Sequence, residues 1–139
     1  MSLDEKPRVL VADDSPAMLD TVQAMLAAEF NVVAAVNDGL EAVEAAAKFR
    51  PDIFILDITM PGLDGFRTAR EIRRLGLSGK VIFLTVNRDA DYVNAACAMG
   101  ASYVVKSRMY SDLNLAIREG MAGRTFVSPV GIELSTNSK

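Results

Sequence analysis

Short apolar runs alternate with longer amphipathic stretches along the whole chain. Val9-Leu10-Val11-Ala12, Ile53-Phe54-Ile55-Leu56, Val81-Ile82-Phe83-Leu84 and Tyr103-Val104-Val105 are too short for buried helices, and a further such run lies at 31–36. They predict strands near 8–12, 31–36, 52–56, 80–85 and 102–105. Between them, apolar positions recur at helical spacing and predict helices near 16–28, 39–48, 65–74, 89–99 and 111–122. Met18, Val22, Met25 and Leu26 share one face of the first helix, Ala42, Val43 and Ala46 of the second, and Phe66, Ala69 and Ile72 of the third. Leu113, Ala116, Ile117 and Gly120 do the same for the fifth. Strand-helix alternation of this kind builds a parallel sheet covered on both faces, and the continuously apolar run 53–56 is that of a central strand.

The punctuation agrees. Ser15 and Pro16 suit the cap and first turn of the first helix. Asp38 followed three residues later by Glu41 resembles a capping box, Asp64 caps the third helix, and Gly100 suits the left-handed position that ends the fourth. Past about residue 123 the chain reads Gly-Arg-Thr-Phe-Val-Ser-Pro and ends Leu-Ser-Thr-Asn-Ser-Lys, which predicts a domain over 1–124 and a polar tail or linker over 125–139.

Chemistry collects where the strands end. Asp13-Asp14 follow the first run, Asp57 closes the third, Thr85 the fourth and Lys106 the fifth. In one parallel sheet these ends share an edge, the edge where open α/β sheets bind ligands. Carboxylates so clustered call for a cation, and Mg²⁺, held by one or two carboxylates together with phosphate oxygens, fits them. The pattern points to phosphoryl transfer, with Asp57 as the group that can form an aspartyl phosphate.

These residues carry a family resemblance. Asp13-Asp14, then Asp57 followed by Ile-Thr-Met-Pro-Gly, then Thr85, then Lys106, resembles the CheY-like receiver domain of two-component response regulators, over about the first 125 residues. The resemblance implies a flavodoxin-like (βα)5 three-layer sandwich with strand order 2-1-3-4-5. It implies Asp57 as phosphoacceptor, and Mg²⁺ on Asp13, Asp14, Asp57 and the backbone carbonyl of Thr59, Asp14 binding most directly and Asp13 partly through water. Lys106 would pair with Asp57 and then with a phosphate oxygen, Thr85 would donate to another, and Tyr103 would turn inward once Thr85 has moved. The donor would be a sensor histidine kinase or phosphotransfer protein. The switched surface would be that of the fourth helix, fifth strand and fifth helix, which could also join two copies as a homodimer. The implied activity is signalling, with self-phosphorylation and self-dephosphorylation only. The stretch Gly-Arg-Thr-Phe-Val-Ser-Pro resembles the end of receivers in NarL/FixJ-type transcription regulators, where DNA is bound through an output domain that is not present here. Two departures concern the rim: Val86 stands where alanine is common, and Ser107 where proline is common.

Composition narrows the field. The 139 residues contain no histidine, which removes Ser-His-Asp triads and the usual zinc sites, and a net charge of −3 gives no basic stripe for nucleic acid. The apolar runs fall far short of the roughly 20 residues of a membrane span, and the charged start does not resemble a signal peptide, so a cytoplasmic location is expected. The single cysteine, Cys97, shares helical spacing with Val93, Ala96 and Gly100 and is expected to be core packing. Two rivals use related folds. A haloacid-dehalogenase-like phosphatase would need an Asp-x-Asp motif where Asp57-Ile58-Thr59 stands; a flavodoxin-like electron carrier would need a Ser/Thr-rich phosphate loop and aromatics for the flavin, and Trp is absent. Gly76-Leu77-Ser78-Gly79-Lys80 is not a phosphate loop, since the glycine spacing is wrong and Val81 follows where Ser/Thr belongs.

Overall fold

The computed structural model describes residues 6–129. The apolar runs become β1 (Arg8–Ala12), β2 (Asn31–Val36), β3 (Ile53–Leu56), β4 (Lys80–Thr85) and β5 (Ser102–Val105). The stretches between and after them become α1 (Pro16–Leu26), α2 (Gly39–Phe49), α3 (Gly65–Arg74), α4 (Ala90–Ala98) and α5 (Met109–Met121). All strand pairs are parallel, in the order β2-β1-β3-β4-β5. The order expected from the resemblance is the order found.

The caps act as their residue types require. The side chains of Ser15, Asp38, Asp64 and Asp89 each accept a backbone N–H from the first turn of the helix they precede. Arg50 ends α2 in the left-handed conformation, φ 46°, ahead of Pro51, which cannot continue a helix.

Side-chain alternation in the strands divides the core into two halves. On one face Leu10, Phe54, Leu56 and Phe83 meet Ala42 and Ala46 of α2, Ala69 and Ile72 of α3, and Val93 and Ala96 of α4. On the other, Val9, Val11, Ile55 and Ile82 meet Val22 and Leu26 of α1 and Leu113, Ala116 and Ile117 of α5. This is a three-layer α/β/α sandwich with β3 buried at its centre.

Three expectations need adjustment. Cys97 is exposed, not core. Ala96 and Cys97 flank Val93 on the helical wheel at about 60° and 40° on opposite sides, and α4 presses its Val93–Ala96 side to the sheet. α5 starts two residues earlier than expected, at Met109, directly after a 3₁₀ turn over Lys106–Arg108. Lastly, Phe126–Ser128, read from sequence as tail, lies against β5, with Val127 in a parallel bridge to Tyr103. The sequence beyond residue 129 lies outside the described residues.

Candidate functional site

Backbone register brings the acidic residues together. Ala12 pairs with Leu56, and the Asp57 N–H donates to the Ala12 carbonyl at 3.0 Å, so Asp13 and Asp57 leave adjacent strands side by side. Carboxylate oxygens of Asp13, Asp14 and Asp57 all lie within 4.8 Å of one another. Asp13 and Asp57 are buried, whereas Asp14 is exposed at the rim.

Lys106, at the end of β5, reaches across this cluster. Its ammonium donates to Asp57 Oδ2 at 2.9 Å and lies 2.7 Å from Asp13 Oδ2. The Asp57 contact was expected; the Asp13 contact was not. Asp13 Oδ1 also accepts the Ser15 N–H at 2.9 Å, a turn that fixes the carboxylate just ahead of α1. Burial pulls the Lys106 ammonium down, but its bonds to Asp13 and Asp57 outweigh this and hold it above the usual lysine value. Burial pushes the Asp13 carboxyl above the ordinary carboxylate value; the Asp57 charge adds to the rise, while Lys106 and Ser15 oppose it.

The second oxygen of Asp57, Oδ1, is buried and has no hydrogen-bond partner among the described residues. A buried carboxylate oxygen left this way is costly unless a cation or a reacting group meets it. Three carboxylates facing one ammonium leave an excess of negative charge, and all the donor atoms are hard oxygens. The donor set therefore fits Mg²⁺. Thr59, two residues past Asp57 in the loop before α3, is exposed between the buried Ile58 and Met60.

Thr85 is buried at the end of β4, and its Oγ1 accepts the Asn87 N–H at 3.2 Å. Tyr103 is fully buried, its hydroxyl donating to the Asn87 carbonyl at 2.8 Å. Burial, with the Asp89 charge next in weight, pushes the phenol well above its usual value, so it stays a donor. Thr85 and Tyr103 are thus both tied to one loop residue, Asn87, which the sequence did not single out. Val86, between Thr85 and Asn87 in the chain, is exposed by 74%.

Two glycines also escaped notice. A Cβ on Gly65 would stand 2.3 Å from the Asp57 carbonyl oxygen, and the Gly65 N–H donates to the Ile58 carbonyl at 2.7 Å, so the start of α3 packs directly on the Asp57 loop. A Cβ on Gly39 would stand 2.2 Å from the Leu63 carbonyl oxygen, which seats α2 against the same loop. The only signal available was a glycine directly after each aspartate cap.

Comparison with known proteins agrees with this geometry. The family model for the response regulator receiver domain matches residues 9–118. The chain belongs to this receiver family. Among curated proteins, the nitrate/nitrite response regulator protein NarL of Escherichia coli (strain K12) is 30% identical over 131 residues. That match takes in 92% of this receiver but only 61% of the relative's length. A LuxR-family two-component response regulator from Aurantimonas sp. SI85-9A1 superposes with a TM-score of 0.89 at 28% identity, covering 96% of this chain and 99% of that one. The isolated REC domain of RcsB from Salmonella enterica serovar Typhimurium, solved with the phosphomimetic BeF3-, gives 0.83 at 26%, covering 91% and 96%. The protein is therefore a receiver domain of the NarL/LuxR type. Among the described residues no helix is long and apolar enough to cross a membrane.

Proposed function

We propose that this receiver takes a phosphoryl group from a phosphohistidine on a sensor kinase or phosphotransfer protein onto Asp57 and thereby switches an output, here transcription. The observation that carries the reading is the buried Asp57 carboxylate itself, with Oδ2 held by Lys106 and Oδ1 unpartnered. An Asp57 oxygen attacks the phosphorus, the bond from phosphorus to the donor's imidazole nitrogen breaks, and the electron pair leaves with that nitrogen. The phosphohistidine must lie outside these 139 residues, which contain no histidine. Asp13, Asp14, Asp57 and the Thr59 carbonyl would hold Mg²⁺, which supplies charge neutralisation for the transferring group. Lys106 moves from carboxylate to phosphate oxygen, as a compact charge on a flexible stem can. Thr85 turns its hydroxyl from Asn87 toward the phosphate, and repacking around Asn87 and Tyr103 passes the change to the surface of α4, β5 and α5. DNA would be reached through an output domain outside this chain, as the RcsB–DNA complex among the structural relatives suggests.

The test is incubation with a small acyl-phosphate donor, followed by mass spectrometry. One phosphoryl group should be added when the donor is supplied with Mg²⁺, and none when a chelator is present from the start. Asp57→Asn, which keeps the shape but loses the nucleophile, should remain unlabelled; equal labelling would disprove the assignment.

A further inference from the structure

The edge of β5 is occupied by the chain's own residues. After α5, a turn through Gly123 (φ 81°) sends the backbone back along β5. The Tyr103 N–H donates to the Phe126 carbonyl at 2.9 Å, and the Ser128 N–H donates to the Tyr103 carbonyl at 2.8 Å. Side chains reinforce this ladder. Ser102 Oγ accepts the Phe126 N–H at 3.0 Å, and Ser128 Oγ accepts the Val105 N–H at 3.2 Å. The Ser128 hydroxyl in turn donates to Asp112 Oδ2 at 2.7 Å, both residues being buried. Asp112 also accepts from Arg108 and Ser111, so this carboxylate gathers the start of α5 and the segment into one network. Phe126 packs into the core half under α1 and α5, and Val127 into the opposite half. The segment straddles the end of the sheet.

Tyr103 is the common member. Its main-chain N–H and C=O are taken by the segment, and its hydroxyl by Asn87, two residues past Thr85. We propose that β5 is a strand-accepting surface whose occupant is Phe126–Ser128, and that this docked strand is coupled through Tyr103 to the loop Val86–Asp89. Docking fixes the Tyr103 backbone on the edge and holds its hydroxyl on Asn87; release of either end loosens the other. An open edge strand invites pairing with other chains, and the docked segment covers it. A partner or second copy approaching α4, β5 and α5 therefore meets this strand instead of a bare edge. The coupling goes beyond the proposed phosphoryl chemistry and holds whether or not Asp57 is labelled.

Amide hydrogen exchange on the full chain tests it in both directions, because coupling between two sites is reciprocal. In the unaltered protein the amides of Tyr103, Val105 and Ser128 should be strongly protected. Ser128→Ala removes two buried hydrogen bonds, the one accepted from the Val105 N–H and the one donated to Asp112, so it should speed exchange at Ser128's position and at Val105 by roughly ten-fold or more, and should also speed exchange at Asn87 and Asp89. Tyr103→Phe, which removes only the hydroxyl, should speed exchange at Asn87 and, several-fold, at Ser128. An unprotected Ser128 amide in the unaltered protein would overturn the docking. Effects confined to each variant's own segment would overturn the coupling. If Ser128→Ala loses its cooperative melt, the Tyr103→Phe result decides alone.

Discussion

Lys106 faces Asp13 and Asp57 at hydrogen-bonding distance from inside a mostly buried site, and Asp14 adds a third carboxylate nearby. Lys106→Met should therefore lower stability at neutral pH by about 3 kcal/mol, the usual consequence of stranding buried charges. If Mg²⁺ occupies the same cluster, millimolar Mg²⁺ should recover part of that loss in a urea melt, whereas the unaltered protein gains less; no recovery would argue against the metal assignment. Val86 calls for the opposite kind of test. It is largely exposed, so Val86→Ala should change stability by less than about 0.5 kcal/mol, yet it trims the wall beside Thr85 and should quicken labelling or dephosphorylation of Asp57. Unchanged rates for both would dismiss a gating role. The acidic residues, Thr85 and Lys106 were legible in the sequence because each directly ends an apolar run. The contact between Lys106 and Asp13 was not, since it depends on how strands far apart in sequence are ordered in the sheet. Cys97 was misplaced because spacing defines a helical face only to within about one residue.

Elements converge on the acceptor loop through close backbone approaches. Gly65 lets α3 begin against the Asp57 carbonyl, so Gly65→Ala must push the helix or the loop aside. A destabilisation of about 2 kcal/mol and slower labelling of Asp57 are expected together; a stable variant labelled at the normal rate would show that the approach is not needed. At the other end of the sheet edge, Asp112 anchors α5 to the docked strand. Burial pushes its carboxyl up, but the bonds from Ser128, Arg108 and Ser111, with the Arg108 charge, bring it below the ordinary value. A carboxylate whose value is lower folded than unfolded adds stability above its unfolded value, near 4, and that contribution is lost as the pH falls through the folded value. Asp112→Asn should thus weaken the fold by about 2 kcal/mol at pH 7 and flatten the decline of stability between roughly pH 5 and pH 3. Parallel denaturation curves for both proteins across that range would count against it. Helix boundaries were legible to within two residues; serine or aspartate caps mark the starts of α1 to α4, whereas α5, which has no side-chain cap, was placed two residues late. The docked strand was missed because three residues between polar neighbours show no period, and what defines them is the edge they land on.

Across the molecule, the strand order expected from the resemblance is the order that sets Asp13, Asp14, Asp57, Thr85 and Lys106 at strand ends along one rim, and the helical faces read from spacing supplied both halves of the core. Self-association is the property most in need of measurement. If switching exposes a surface on α4, β5 and α5, sedimentation should show a beryllofluoride-dependent dimer that Asp57→Asn cannot form; a monomer under both conditions would leave contact with an output domain as the route. The position of β3 bears on how such a switch can work. Flanked by β1 and β4 and buried along all four residues, it has packed neighbours on every side, so charge added at its tip meets close-packed atoms beneath it. Displacement has to run sideways, over β4 to the perimeter, where β5 and its companion strand are held by a handful of bonds. The centre acts as an anvil and the margin as the part that rings.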